Sequence, residues 1–178
     1  MALHVSPRDL AYAGLMGAAA LLLPALFHLL HLGHVFMPMY LPLVALGFLV
    51  GARAASATAL VVPLLSGVIT GMPPFHPPTA PFMAAELAVM AGLVSWGSRR
   101  WPGRVLVVLV PVLLLGRVLQ AGAGYVVGLV LELPAGFMSA WAVAKGWPGL
   151  VLMVVVIPPL VRLVGPARGG QGAHNGPA

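Results

Sequence analysis

Ser98-Arg-Arg-Trp-Pro-Gly-Arg104 separates two long apolar runs and carries three of the nine Lys and Arg residues of the chain. Read outward from it, the chain divides into six apolar spans, at about 9–30, 40–51, 53–71, 82–98, 104–126 and 147–164. Arg8 precedes span 1, Arg53 lies between spans 2 and 3, and Arg162 and Arg168 close span 6. Only Lys145 falls in a connection at the opposite end, and Arg117 lies inside a span. Short loops rich in Lys and Arg stay on the cytoplasmic side of a membrane. The pattern predicts an all-α membrane protein, a six-helix bundle in the plasma membrane with both termini inside.

Composition points the same way. Hydrophobic residues make up 61% and charged residues 7% of the chain, against about 45–50% and about 25% in soluble domains. So few charges cannot cover a water-exposed surface, and a lipid bilayer is the expected solvent. The net charge of +6 does not indicate nucleic-acid binding, because the arginines are spread over separate loops rather than gathered on a stripe. Without cysteine there is no disulfide framework, thiol nucleophile or thiolate metal site. The first thirty residues resemble a secretory signal, but Phe27-His28-Leu29-Leu30-His31 is a poor cleavage site, and span 1 is read as retained.

The segment 31–40 and the stretch Gly71-Met-Pro-Pro-Phe-His-Pro-Pro-Thr-Ala-Pro81 read as outer loops. The second, with its five prolines, is expected to be stiff and non-helical. Span 2 is too short to cross about 30 Å at about 1.5 Å per residue, so it begins within the loop or sits under protein cover. A third outer connection, 127–146, is apolar enough to fold onto the membrane face, and residues 166–178 read as a disordered cytoplasmic tail. One domain, 1–165, accounts for the rest.

Three acids are present, Asp9, Glu86 and Glu132. Asp9 sits beside Arg8 and is interfacial. Glu86 lies twelve residues before Ser98 and Arg117 thirteen after Arg104, so both stand roughly 18–20 Å above the inner surface. A charge in hydrocarbon costs at least about 2.5–3.5 kcal/mol and turns inward to find a partner. Two readings follow: a buried ion pair fixing spans 4 and 5, or contact with a polar ligand in an outward cavity. Gln120, one turn beyond Arg117, extends the polar stripe and favours the ligand.

His28, His31 and His34, with His76 on the next outer loop, could form a zinc, nickel or cobalt site. Gly33 interrupts the helix before His34 and no acid lies nearby, so the preferred reading places them at the interface or against substrate. Phe36, Met37, Tyr40 and Phe75, from the two proline-bearing loops, are expected either to cover those loops or to close over a flat apolar ring. No phosphate loop, His-Glu-x-x-His or Gly-x-Ser-x-Gly motif occurs, and an enzyme is not expected.

The stretch Phe36-Met-Pro-Met-Tyr-Leu-Pro-Leu-Val-Ala-Leu-Gly-Phe-Leu-Val-Gly-Ala-Arg53 is similar to loop 1 and helix 2 of the S components of energy-coupling factor (ECF) transporters, including the Gly47-x-x-x-Gly51 turn. The small-residue helix 3, the Gly71-Met-Pro-Pro74 loop and Glu86 in helix 4 also resemble that family, over most of residues 9–165. The resemblance implies capture of a vitamin or related small molecule from outside. It also implies association with a membrane T component and two ATP-hydrolysing subunits through a small-x-x-x-small pattern on helix 1. Ala13/Gly17 is the best match and Gly14/Ala18 the alternative. In the family the ligand lies under loop 1 between helices 4, 5 and 6, which implies a site at Glu86, Arg117 and Gln120 with His34, Phe36, Met37, Tyr40, Phe75 and His76 around it, and no cofactor. The cobalt and nickel branch begins Met-His, whereas this chain begins Met1-Ala2-Leu3-His4. Two other readings stand beside this one: a nickel/cobalt-type uptake subunit using the histidines, and a membrane protein that supports an assembly, or acts as a small enzyme, without ATP-dependent partners.

Overall fold

Ser6 opens the first helix by accepting the Asp9 N–H on its Oγ at 3.1 Å, an N-cap that satisfies an otherwise orphaned donor. Pro7 follows at the first helical position, where a missing N–H costs nothing. The computed structural model describes residues 6–29, 38–76, 78–130, 132 and 146–164. Six helices order these residues: α1 Pro7–Leu29, α2 Tyr40–Leu49, α3 Ala52–Thr70, α4 Thr79–Arg100, α5 Val105–Val130 and α6 Trp147–Val164. Four of them, α3, α4, α5 and α6, are long and apolar enough to cross a membrane. Prolines inside α1, α3, α5 and α6 are tolerated as they are in membrane helices, where neighbours re-satisfy the freed backbone groups.

Two boundaries depart from expectation. The proline-rich stretch was expected to hold off α4 until residue 82, yet the helix begins at Thr79 and carries Pro81 in its first turn. The N–H groups of a first helical turn have no partner within the helix, so proline is accepted there. Helix α5 was expected to stop near 126 and runs to Val130, through the glycines Gly122, Gly124 and Gly128 that punctuate a soluble helix more strongly than a membrane one. Upstream of α4, Gly71 ends α3 at φ 73°, the left-handed cap that glycine adopts without penalty. Ser66 and Thr70 close the same corner by donating to the Met72 carbonyl at 2.7 and 3.1 Å.

The short span proves to be the centre of the bundle. Helix α2 is 10 residues long, about 15 Å, half of what a bilayer core demands. It packs against α1, α3, α4 and α6, and every residue but Leu41 is buried, as befits a helix that is apolar all round. Its direction follows from its contacts with α4. Tyr40 bonds to Glu86, a Cβ on Gly47 would meet the Ala91 carbonyl and Val94, and the Val50 carbonyl accepts from Ser95 Oγ at 2.8 Å. The two helices therefore run parallel, and α2 begins deep in the bundle rather than at its surface.

Around this centre α3 packs on α1 and α4, and α5 packs on α4 and α6. In lipid, apolar burial does not drive helices together, so close backbone approach at small residues matters more. Gly92 of α4 admits Ser56 of α3, whose hydroxyl donates to the Ala88 carbonyl at 2.9 Å. Gly97 of α4 faces Val108, and Gly116 of α5 faces Met90, which sets α4 and α5 as an antiparallel pair.

One end of the bundle gathers charge. Gly51 lies beneath both the Arg99 guanidinium and the Asp9 carboxylate, 3.2 and 4.0 Å from where its Cβ would stand, so the start of α1, the α2–α3 turn and the end of α4 meet there. Trp96 and Trp101 stack edge to face at 6.2 Å, with Arg100 over Trp101 and Arg8 over Tyr12. Arginines interleaved with exposed aromatics mark a membrane–water boundary. The flanks carry exposed Leu22, Val68, Val118 and Leu163, a surface suited to lipid and not to water.

Candidate functional site

Glu86 is the charged residue that α4 turns inward, and it is 8% exposed. Its Oε2 accepts the Tyr40 hydroxyl at 2.9 Å in the interior. Arg117 of α5 is 5% exposed and lies near enough for its charge to act on both Glu86 and Tyr40. The antiparallel register explains why. Stepping from the Gly97–Val108 contact to the Met90–Gly116 contact moves seven residues back along α4 and eight forward along α5. One further turn brings Glu86 level with 117–120.

Burial, hydrogen bonding and charge thus converge on Tyr40, Glu86 and Arg117 at the head of α2, and helix register puts Gln120 about one turn further along α5. A helix that begins inside a membrane bundle leaves first-turn N–H groups and a positive dipole end facing inward. Irregular backbone at that depth is tolerated only under protein cover or beside a polar cavity. The Met39 N-cap supplies no side-chain hydrogen bond. Two buried acceptors, Glu86 Oε1 and Gln120 Oε1, have no hydrogen-bond partner among the described residues. Such groups cost about 1–3 kcal/mol each when left unsatisfied in a protein interior, so a native site of this kind calls for a further binding group or water.

The sequence places Tyr40 among the residues that cover the outer loops or close over a ligand; the structure places it inside the bundle. Its ring is buried at the start of α2 and its hydroxyl holds a carboxylate. The signal that could have found it is the mismatch of length: a helix too short to span, beginning at an aromatic with a polar tip. Phe75 is laid over Gly67 of α3, its Cε2 2.8 Å from where a Cβ there would stand, and His76 beside it is exposed. His34, Phe36 and Met37 lie outside the described residues, as do His31, the side chain of His28, most of the connection 127–146 and the tail 166–178. Among the described residues no group of three or more His, Asp or Glu gathers as a metal site would.

On α1 the two small-residue pairs separate. Gly17 is buried against Val62 and Thr58 of α3, with methyls 3.4 and 3.6 Å from where its Cβ would stand, and Ala13 is half-buried. Gly14 has nothing within 4 Å, and Ala18 is exposed. Gly17 thus packs the chain's own bundle, and Gly14/Ala18 is the pair presented outward. No family model, no curated protein and no solved structure matches the chain.

Proposed function

We propose that this chain is the substrate-binding membrane subunit of an importer of the energy-coupling factor type, capturing a vitamin-like small molecule at the outer face for ATP-driven uptake. The observation that carries the reading is the Tyr40–Glu86–Arg117 constellation at the buried head of a helix that does not span. A structural ion pair alone has no need of a helix start at that depth, whereas a site for a polar molecule uses it. Charged residues inside a membrane mark binding or transport paths by default. The similarity of residues 36–53 to loop 1 and helix 2 of S components supports the same conclusion, and the absence of a nucleotide-binding loop assigns the ATP hydrolysis to partner subunits.

In this reading the arginine-bearing end faces the cytoplasm of a plasma membrane, and the 71–81 loop faces outward. Helix α1 and the half-span α2 complete the set of six. The Gly14/Ala18 face of α1 meets a membrane T component, which in turn binds two ATPase subunits. The test is co-purification of the chain with those subunits, together with analysis of small molecules retained by wild type, Glu86→Gln and Arg117→Gln. Loss of a retained organic molecule in the variants supports the reading. Retention unchanged in both removes the assigned roles.

A further inference from the structure

The turn between α4 and α5 holds charge that no acid of the chain answers. Arg99, Arg100 and Arg104 follow closely on one another there. Of the three acids in the chain, Glu86 is buried in the bundle, Glu132 follows α5, and Asp9 stands with Arg99 over Gly51. Arg100 and Arg104 are exposed and have no carboxylate beside them among the described residues. The backbone brings the two together. Pro102 and Gly103 occupy the corners, Gly103 at φ 76°, the residue pairing of a type II turn. The Arg104 N–H donates to the Trp101 carbonyl at 3.3 Å, and such closure sets the end residues within about 7 Å of each other. Arg104 therefore stands beside Trp101, whose ring carries the Arg100 guanidinium at 5.9 Å. Apart from its chain neighbours, nothing described lies within 4 Å of where a Cβ on Gly103 would stand, so the space over the turn is open.

Next to the turn the surface is apolar on both helices. Helix α4 sets exposed Val89 and Trp96 on the face that ends at Arg100, and α5 sets exposed Val107, Leu114 and Val118 on one face that begins just after Arg104. Trp96 meets Trp101 edge to face at 6.2 Å, which puts both indoles between the apolar faces and the arginines. We infer that this turn binds the headgroup phosphate of an anionic phospholipid, with Arg100 and Arg104 on the phosphate, the two indoles at the level of the glycerol, and the acyl chains along the exposed faces of α4 and α5. A guanidinium can donate two parallel hydrogen bonds to phosphate and stay stacked on an aromatic ring while it does so. Charge complementarity sets the class of lipid. A zwitterionic headgroup carries its own cation beside the phosphate and competes with the arginines, whereas an anionic one does not. Sidedness alone needs only the number of arginines in a loop; it does not require a closed turn, a ring beneath one guanidinium or open space above. An acidic protein surface would match the arginines but not the lipid-level tryptophans next to them. The assignment is independent of what the interior of the bundle takes.

Quenching of the indoles by brominated lipids tests this at the turn itself. The full chain carrying Trp141→Phe and Trp147→Phe keeps Trp96 and Trp101 as reporters. It is placed in phosphatidylcholine bilayers with rising fractions of dibrominated phosphatidylglycerol or dibrominated phosphatidylcholine. Phosphatidylglycerol is expected to be favoured at the indoles on the order of tenfold. Arg100→Gln/Arg104→Gln is expected to erase that preference, and Arg104→Gln alone to cut it to about threefold. Arg53→Gln/Arg162→Gln removes the same charge away from the turn and is expected to leave the preference in place. Unfolding temperatures in phosphatidylcholine alone report that each variant is folded. Equal quenching by the two lipids in the reporter chain overturns the proposal, as does an unchanged preference in a folded Arg104→Gln variant. Equal loss in the two double variants overturns it in favour of diffuse attraction. Loss of the preference on adding millimolar inorganic phosphate at constant ionic strength assigns the arginines to a free anion and overturns the lipid.

Discussion

At the scale of single residues, two inward-facing charges were legible because each is the sole charge in the interior of a long apolar run, so sequence position alone gives its depth. Tyr40 was not. A tyrosine after a proline-bearing loop resembles the interfacial aromatics that line any membrane surface, and nothing local shows that its hydroxyl reaches 46 residues along the chain to Glu86. Removing that hydroxyl has a definite consequence. Tyr40→Phe leaves a second carboxylate oxygen without a partner and is expected to lower unfolding stability in detergent by about 1–3 kcal/mol, read from thermal or denaturant unfolding. Breaking the charge constellation costs more. Arg117→Leu alone is expected to destabilise by about 3–5 kcal/mol, because it strands Glu86, while the double variant Glu86→Leu/Arg117→Leu recovers much of that loss. A double variant no more stable than Arg117→Leu would show that the two charges do not interact.

At the scale of elements, the sequence placed α6 at 147–164, and the structure has it at Trp147–Val164, because Gly146 and Pro148 mark its start and the apolar run its length. It misplaced the start of α4, since a first helical turn hides its prolines from a rule about helix interiors. The sequence shows that α2 is too short to span, but not that it is the centre of the bundle. Only the contacts with α4 reveal that it lies parallel to that helix and starts at depth. The closest backbone approach in this pairing is at Gly47, whose Cβ would stand 2.7 Å from the Ala91 carbonyl. Backbone cannot step aside as a side chain can, so Gly47→Ala is expected to cost about 1–3 kcal/mol of stability. On α1, by contrast, Gly14→Val meets open space. It is expected to leave the unfolding temperature of the isolated chain within about a degree while weakening co-purification with a T component. Equal loss of stability in Gly47→Ala and Gly14→Val would contradict the packing described for α1 and α2.

At the scale of the whole molecule, the arginine pattern announced a bundle with two unlike ends, and the meeting of Asp9, Gly51 and Arg99 gives that pattern a physical location. The proposed orientation in the membrane rests on the sidedness of Lys and Arg and is open to a direct check. The chain has no cysteine, so single cysteines report without background. Cysteine in place of His76 is expected to react with an impermeant maleimide on intact cells, and cysteine in place of Gly103 only after lysis; the reverse pattern would turn the site toward the cytosol. The role assigned to the bundle depends most on what occupies its interior. Mass spectrometry of the small molecules released from the purified chain tests it directly. The account predicts one organic compound at close to one per chain in wild type, lost from a folded Glu86→Gln variant, whereas wild type and variant releasing the same compounds in the same amounts would contradict it.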